Sequence, residues 1–306
     1  MTANPRALAK GLISLVAPGA THIRHDKRSA AYFYSALMRH LVRLDAHGAR
    51  PRLGAVAELG PGAALGMGLT ALLLGAESYR GLDIAPYAGD AEANRALLDQ
   101  LAGLVADRAG IPHGGDFARI RPTLADHRFP DWLPLDPDTV RARARTLAPA
   151  LAAPGTPPIH YTAPWTRADA EAGTIDWLFS QAVLEHVDDV PATWAAIARW
   201  LAPGGVTSHQ IDLRSHGTAT TWNGHWAIPP TTWKLMRGRR PYLLNRQPLS
   251  AHLKALEQAG LELIAIDRSP APDPGTPRHN LQEPWRSLPD DDLTTAGAFV
   301  TARRPG

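Results

Sequence analysis

The sequence predicts an α/β fold: a mostly parallel seven-stranded sheet with helices on both faces and a helical insertion. Three observations predict it. Short apolar runs suited to buried strands alternate with stretches of helical periodicity from about residue 55 onward. The first run, 55–59, ends in the small-residue turn Gly60-Pro61-Gly62 and passes directly into a helix. The alternation is then broken by one long stretch, 88–157, before it resumes.

Taken in order, residues 1–50 read as helical, with Tyr34, Leu37, Met38 and Leu41 at helical spacing within 30–44. Pro51 and Gly54 set off the first strand. The helix after the glycine turn runs over about residues 65–74, where Gly75 stops it. A second strand at 79–84 carries Asp83 at its end. Consecutive strands of an open α/β sheet are usually joined by one helix and short loops. Here two helical stretches, 92–108 and 138–151, flank a Pro- and Asp-rich segment at 112–137. An inserted cap over a substrate is expected, with an edge insertion or a dimer contact as the alternative. Strands at 159–162, 175–180 and 206–213 follow, with a helix at 193–201. The stretch 216–241 reads as irregular. A helix at 249–259 closed by Gly260, a strand at 261–266 and a last strand at 296–301 complete the pattern. The domain organisation is therefore an N-terminal helical segment (1–50) and one ligand-binding domain (51–306), with insertions at 88–157 and, on the substrate side, 214–248.

Composition narrows the function classes. Of 306 residues, 44% are apolar and 20% charged, ordinary for a globular protein. The formal charge of +3 is spread over scattered basic residues, and Arg237, Arg239 and Arg240 are too few for a nucleic-acid surface. With no cysteine, disulfides, thiolate metal sites and a cysteine nucleophile are excluded. No apolar run spans a bilayer. The run from Gly11 to Ala17 is short and broken by Pro18-Gly19, so it reads as a packed segment rather than a signal sequence, and a cytoplasmic protein is expected.

Open α/β sheets bind ligands at the carboxyl ends of their strands. Gly60 and Gly62 let the turn approach a nucleotide-like ligand, and Pro61 stiffens it. Asp83, about 20 residues beyond, can accept hydrogen bonds from both hydroxyls of a ribose. That pair also fits NAD. Glu58 separates the two, because a carboxylate there repels a pyrophosphate and holds a cation. The ligand expected is S-adenosylmethionine (SAM), with its ammonium and sulfonium charges.

Glu58-Leu59-Gly60-Pro61-Gly62, Asp83, Val183-Leu184-Glu185-His186-Val187 and Leu201-Ala202-Pro203-Gly204-Gly205, in this order, resemble class I SAM-dependent methyltransferases over about residues 54–213. The resemblance implies the Rossmann-like class I methyltransferase fold. It puts the methionine part of SAM at Glu58, Gly60 and Gly62 and the ribose at Asp83 and Ile84, with Ser180, Gln181 and Ala182 lining the pocket. No acid follows the third strand; Pro164-Trp165 stands there, so adenine stacks on Trp165 or is held by backbone, unless Trp165 is a core residue. Further stretches are similar to a bacterial methyltransferase subgroup associated with surface-polysaccharide gene clusters. These are Ser208 to Asp212, Ser215 to Gly217, Trp222 to Trp226, Arg240 to Arg246 and Asp292 to Thr295. They imply a sugar acceptor by analogy.

The residues themselves point to the same region. His209, Asp212, His216 and His225 fall at and after the end of the fifth strand. Methyl transfer is an in-line displacement that depends on positioning, and a hydroxyl nucleophile needs a base such as a His. Asp212 would orient that His or act itself, and Trp222 and Trp226 offer flat faces to a sugar. The alternative is that His209 satisfies buried backbone groups and the two Trp are packing. His186 reads as a supporting or structural residue. No histidine spacing of a known metal site is present, so no metal is expected. Besides sugar O-methylation, a small-molecule O- or N-methyltransferase of secondary metabolism and a non-catalytic SAM-binding protein fit the sequence. A homodimer fits it as well.

Overall fold

The computed structural model describes residues 3–17, 28–88, 90–152, 157–166, 168–240 and 242–306. The break at Pro18-Gly19, Pro241 of the Arg240–Arg246 motif, and Gly89 and residues 153–156 of the long insertion lie outside them.

Seven strands form one sheet: β1 (Ala55–Leu59), β2 (Ser78–Leu82), β3 (Ile159–Thr162), β4 (Ile175–Gln181), β5 (Leu201–Asp212), β6 (Glu262–Pro270) and β7 (Thr295–Arg303). Their order is β3-β2-β1-β4-β5-β7-β6. Pairing from β3 through β5 is parallel, and β7 runs antiparallel to both neighbours. The chain winds outward from β1 in one direction and resumes at β4 in the other. The crevice between the carboxyl ends of β1 and β4 is therefore the topological switch point, where such sheets hold ligands.

Side chains alternate across the sheet and build two cores. On one face Val56, Tyr79, Trp177 and Phe179 meet α2 (Ala30–Ala46), α3 (Gly66–Leu74), α4 (Ala91–Ala106) and α5 (Pro137–Ala150). On the other, Ala57, Leu59, Leu178 and Ile211 meet α6 (Val190–Trp200) and α8 (Leu249–Gln258). All nine residues of α3 are buried, because it is covered by α2, α4 and α5 as well as the sheet. Gly68 in this helix lets the Tyr79 ring pass: a Cβ there would stand 2.1 Å from the ring.

The structure redraws several expected boundaries. β5 begins at Leu201 rather than 206, since Leu201 pairs with Ile175 across a bulge. The antiparallel edge pair runs on to Pro270 and Arg303, beyond the expected 266 and 301. Within the supposedly irregular 216–241, α7 (Pro230–Arg237) forms; only Met236 of it is buried, which leaves little apolar periodicity to detect. The helices of the 88–157 insertion pack on α2 and α3 within the first core. The N-terminal segment divides. Helix α2 belongs to the sheet's core, whereas α1 (Pro5–Val16) packs on α7, tied by Asn4 to the backbone of Gly217 and Thr218. Among the described residues, no helix is long and apolar enough to cross a membrane.

Replacing Gly68 with Ala forces the Tyr79 ring out of its place against α3. We expect a loss of about 1–3 kcal/mol, read as a lower urea midpoint; an unchanged midpoint would show that α3 does not need this close approach.

Candidate active site

A cavity of about 370 Å³ opens at the switch point, within the range of small-molecule sites. Its inner wall is the glycine turn. Gly60 and Gly62 have φ of +67° and +71°, the left-handed region that glycine enters without strain. A Cβ on Gly60 would come within 2.6 Å of Val183 across the cavity wall. Asp83 clamps the turn to the second strand: Gly62 N–H donates to one carboxylate oxygen at 2.9 Å and Ile84 N–H to the other at 2.7 Å. Burial pushes the Asp83 carboxyl up, against these backbone donors. A carboxylate has about four acceptor positions; the Ala85 backbone N–H is a third donor, which leaves room for about one hydroxyl.

Glu58 lies one residue before the strand's end and faces the α3 side. It is almost fully buried yet lines the cavity. Tyr79 Oη donates to its carboxylate at 2.7 Å, and the Gly68 backbone N–H adds a second donor. Burial pushes its carboxyl up to about 8, and nearby Asp83 adds to the rise. The group is thus largely protonated at neutral pH until a cation reaches it.

Of the residues expected to bind the cofactor, Glu58, Gly60, Pro61, Gly62, Asp83, Ile84, Trp165, Gln181 and Ala182 line this cavity. Ala182 does so in a left-handed conformation (φ +56°), uncommon for a residue with a Cβ. Trp165 is half-buried and meets Trp200 edge to face at 5.4 Å. Ser180 is the exception. It is buried behind the wall, with Oγ 2.7 Å from His209 Nδ1.

Of the four residues expected to be catalytic, none lines the cavity. His209 is fully buried beside Trp194, with both ring nitrogens held by the hydroxyls of Ser180 and Thr207. Alternation along β5 turns residues 207, 209 and 211 toward the second core, and burial drives the His209 imidazole well below its ordinary range. His225 is buried against Trp226, with Trp222 beside it, in a satellite core; burial lowers its imidazole to about 3. The two Trp therefore pack and do not face a ligand in the cavity. Asp212 and His216 pair instead with each other at 3.3 Å, and Arg214 also holds Asp212. Burial opposes the charge on Asp212, but Arg214 and His216 overcome it and keep the carboxyl low. Burial likewise opposes the charge on His216, and Asp212 with Glu185 raises it nonetheless.

His186, expected to be supporting, is the one imidazole among the described residues that lines the cavity. Its Nδ1 lies 2.9 Å from the Tyr242 carbonyl oxygen, which fixes Nδ1 as the donor and leaves Nε2 a lone pair. Burial lowers this imidazole to about 4, so it is neutral at pH 7. Its ring meets the His216 ring at 5.1 Å. The sequence did not single out Arg28, Tyr32 and Phe33 near the start of α2 or Tyr87 after β2, and it marked Tyr242 only within the Arg240–Arg246 stretch, without a role. Nor did it mark His40 of α2, which reaches Gln181 Oε1 at 3.0 Å and Ser208 Oγ at 2.9 Å and so holds the cavity's Gln181. No residue between 90 and 152 lines the cavity, so the insertion's helices do not cap it.

A family model described as a methyltransferase domain matches residues 75–273, well over half of the chain. The chain belongs to this methyltransferase family. No curated protein matches it. Similar solved structures include a SAM-dependent methyltransferase from Mesorhizobium loti, 17% identical, with a TM-score of 0.41 over 86% of this chain and 96% of that one. A geranyl diphosphate methyltransferase in complex with SAM is 12% identical, with a TM-score of 0.45 over 90% and 85%. Phosphoethanolamine N-methyltransferase 2 of Haemonchus contortus is also 12% identical, with a TM-score of 0.43 over 90% and 57%.

The buried place of His209 has a measurable consequence. Replacing it with Ala removes two buried hydrogen bonds and opens a cavity beside Trp194, which should cost about 2–4 kcal/mol of stability. The protein that remains folded should bind SAM as before. A large loss of SAM affinity at unchanged stability would return His209 to the site.

Proposed function

We propose that this chain transfers a methyl group from SAM to a hydroxyl oxygen of a small polar acceptor, a sugar or glycan precursor. The observation that carries the reading is Glu58: a buried acid beside a side-chain-free glycine turn, at the end of a cavity of small-molecule size. The residues fit the cofactor. Gly60 and Gly62 leave room for the methionine part against Glu58, whose raised carboxyl ionises when an ammonium arrives. Asp83 keeps an acceptor position for a ribose hydroxyl, and Trp165 and Ile84 offer apolar surface to an adenine. SAM supplies a methyl carbon on a positively charged sulfur, which an oxygen nucleophile displaces in line.

The acceptor side is the wall of Tyr87, His186, Val187 and Tyr242. Two tyrosines offer the flat faces that Trp222 and Trp226, packed elsewhere, do not. The acceptor's proton leaves toward the polar cluster at that wall, in which His186 is the half-buried member that lines the cavity, Glu185 is buried, Asp212 half-buried and His216 exposed. A neutral imidazole with a free lone pair suits an uncharged hydroxyl better than it suits an amine already protonated in water, which favours oxygen over nitrogen. The likeness to surface-polysaccharide methyltransferases supports the sugar.

Incubation with labelled SAM and an extract of the source cells, followed by mass identification of the labelled product, tests the acceptor; a methylated sugar hydroxyl is expected, and label on an amine would overturn it. Glu58→Gln should weaken SAM binding roughly ten- to hundredfold by calorimetry, the worth of a charged hydrogen bond. His186→Asn should lower kcat by at least about a hundredfold while SAM affinity stays near that of the parent. Equal losses in both would make His186 a cofactor residue instead.

A further inference from the structure

We propose that Glu185, His186 and His216 bind a divalent transition metal ion of the zinc class, with an open coordination position beside the cavity. One ligand atom from each residue lies within 4.8 Å of the others. The fold creates this meeting: Glu185 and His186 sit in the turn that follows β4, and His216 in the loop that follows the neighbouring parallel strand β5. No sequence spacing reveals such a cluster, which is why none was expected from the histidine pattern.

Two further observations point to a ligand. Glu185 is buried, one carboxylate oxygen accepts the Asp212 backbone N–H at 3.3 Å, and the other oxygen, Oε2, has no hydrogen-bond partner among the described residues. An unpaired carboxylate oxygen in a protein interior is costly, and a cation removes the cost. Each imidazole, moreover, is already held from outside on one nitrogen: His186 Nδ1 by the Tyr242 carbonyl at 2.9 Å, and His216 Nε2 by Asp212 at 3.3 Å. Metal-binding histidines are oriented by such carbonyl and carboxylate acceptors, which leave the second nitrogen for the ion.

Two imidazoles and a carboxylate form a three-ligand zinc set that leaves the fourth position open. Tetrahedral bonds of about 2.0–2.2 Å put ligand atoms about 3.3–3.6 Å apart, so ligand atoms as much as 4.8 Å apart draw together by up to about 1.5 Å on loading. Because His186 lines the cavity, the open position lies on the acceptor side. There the ion's role rests on the methyl-transfer reading above. With the ion bound, His186 Nε2 would be a ligand and no longer the proton acceptor, and an acceptor hydroxyl beside the divalent cation would lose its proton to water more readily. The new bond then forms from that oxygen to the methyl carbon, and the carbon–sulfur bond breaks with its electron pair returning to sulfur.

Chelator-stripped protein should take up one Zn²⁺ per chain in calorimetry, and one Co²⁺ with a visible absorption spectrum that reports imidazole and carboxylate ligation in the parent chain without any substitution. Glu185→Gln and His216→Ala should each weaken zinc binding a hundredfold or more, and Asp212→Asn about 10- to 100-fold. His113→Ala, which breaks a second histidine pair stacked with His127 at 3.9 Å, should leave zinc binding unchanged. Absence of stoichiometric zinc, or its loss in His113→Ala and not in the two ligand variants, overturns the site. SAM is titrated separately: zinc binding without SAM binding upholds the metal site and defeats the methyl-transfer reading, and SAM binding without zinc does the reverse.

Discussion

A carboxylate buried where a parallel sheet divides governs this molecule. Glu58 stands on the central strand β1, out of reach of bulk water, with Tyr79 and the Gly68 backbone as its donors. Keeping an acid there is costly. Its folded-state carboxyl near 8 lies above the ordinary 4.5, so the folded chain holds that proton to higher pH than the unfolded chain does. Stability is therefore lost as pH rises from about 4.5 to about 8, and the full penalty persists above. Much of the local architecture serves this one group. Gly68 exists where the Tyr79 ring must pass, and Asp83 fixes the glycine turn over it.

The cavity is assembled from parts of the chain far apart in sequence. The turn after β1, the segment after β2, the strap after β4 and the start of α2 each supply a wall, and Tyr242 arrives from the loop after α7. His40 ties α2 to Gln181 and Ser208, so the N-terminal helix is joined to the site by hydrogen bonds as well as by packing. Around His186, polar residues from the ends of β4 and β5 gather. Neighbouring parallel strands ending at the same level are what bring Glu185 and His216 together.

How much of this could be read from the sequence follows from the range of each interaction. The glycine turn, Glu58 and Asp83 are local to strand ends, and their spacing carries their geometry. Strands and helices of the sheet were legible for the same reason. His209 was not, although strand parity held a clue: its place between Thr207 and Ile211 puts it on the face of a buried apolar neighbour. His225 and the paired Trp residues lie in a satellite core that only tertiary contacts define. The helices at 91–106 and 137–150 were visible, but their destination was not. An apolar helical face does not say whether it covers a ligand or another helix, and here it covers α3.

The most direct test of the buried acid is its proton. SAM titrated calorimetrically at pH 6.5 in buffers of different ionisation enthalpy reports how many protons binding releases. With Glu58 protonated in the free protein and charged against an ammonium in the complex, close to one proton should leave, and Glu58→Gln should abolish the release. Binding with no proton exchange in the parent chain, or with the same exchange in the variant, would contradict a cation held by Glu58.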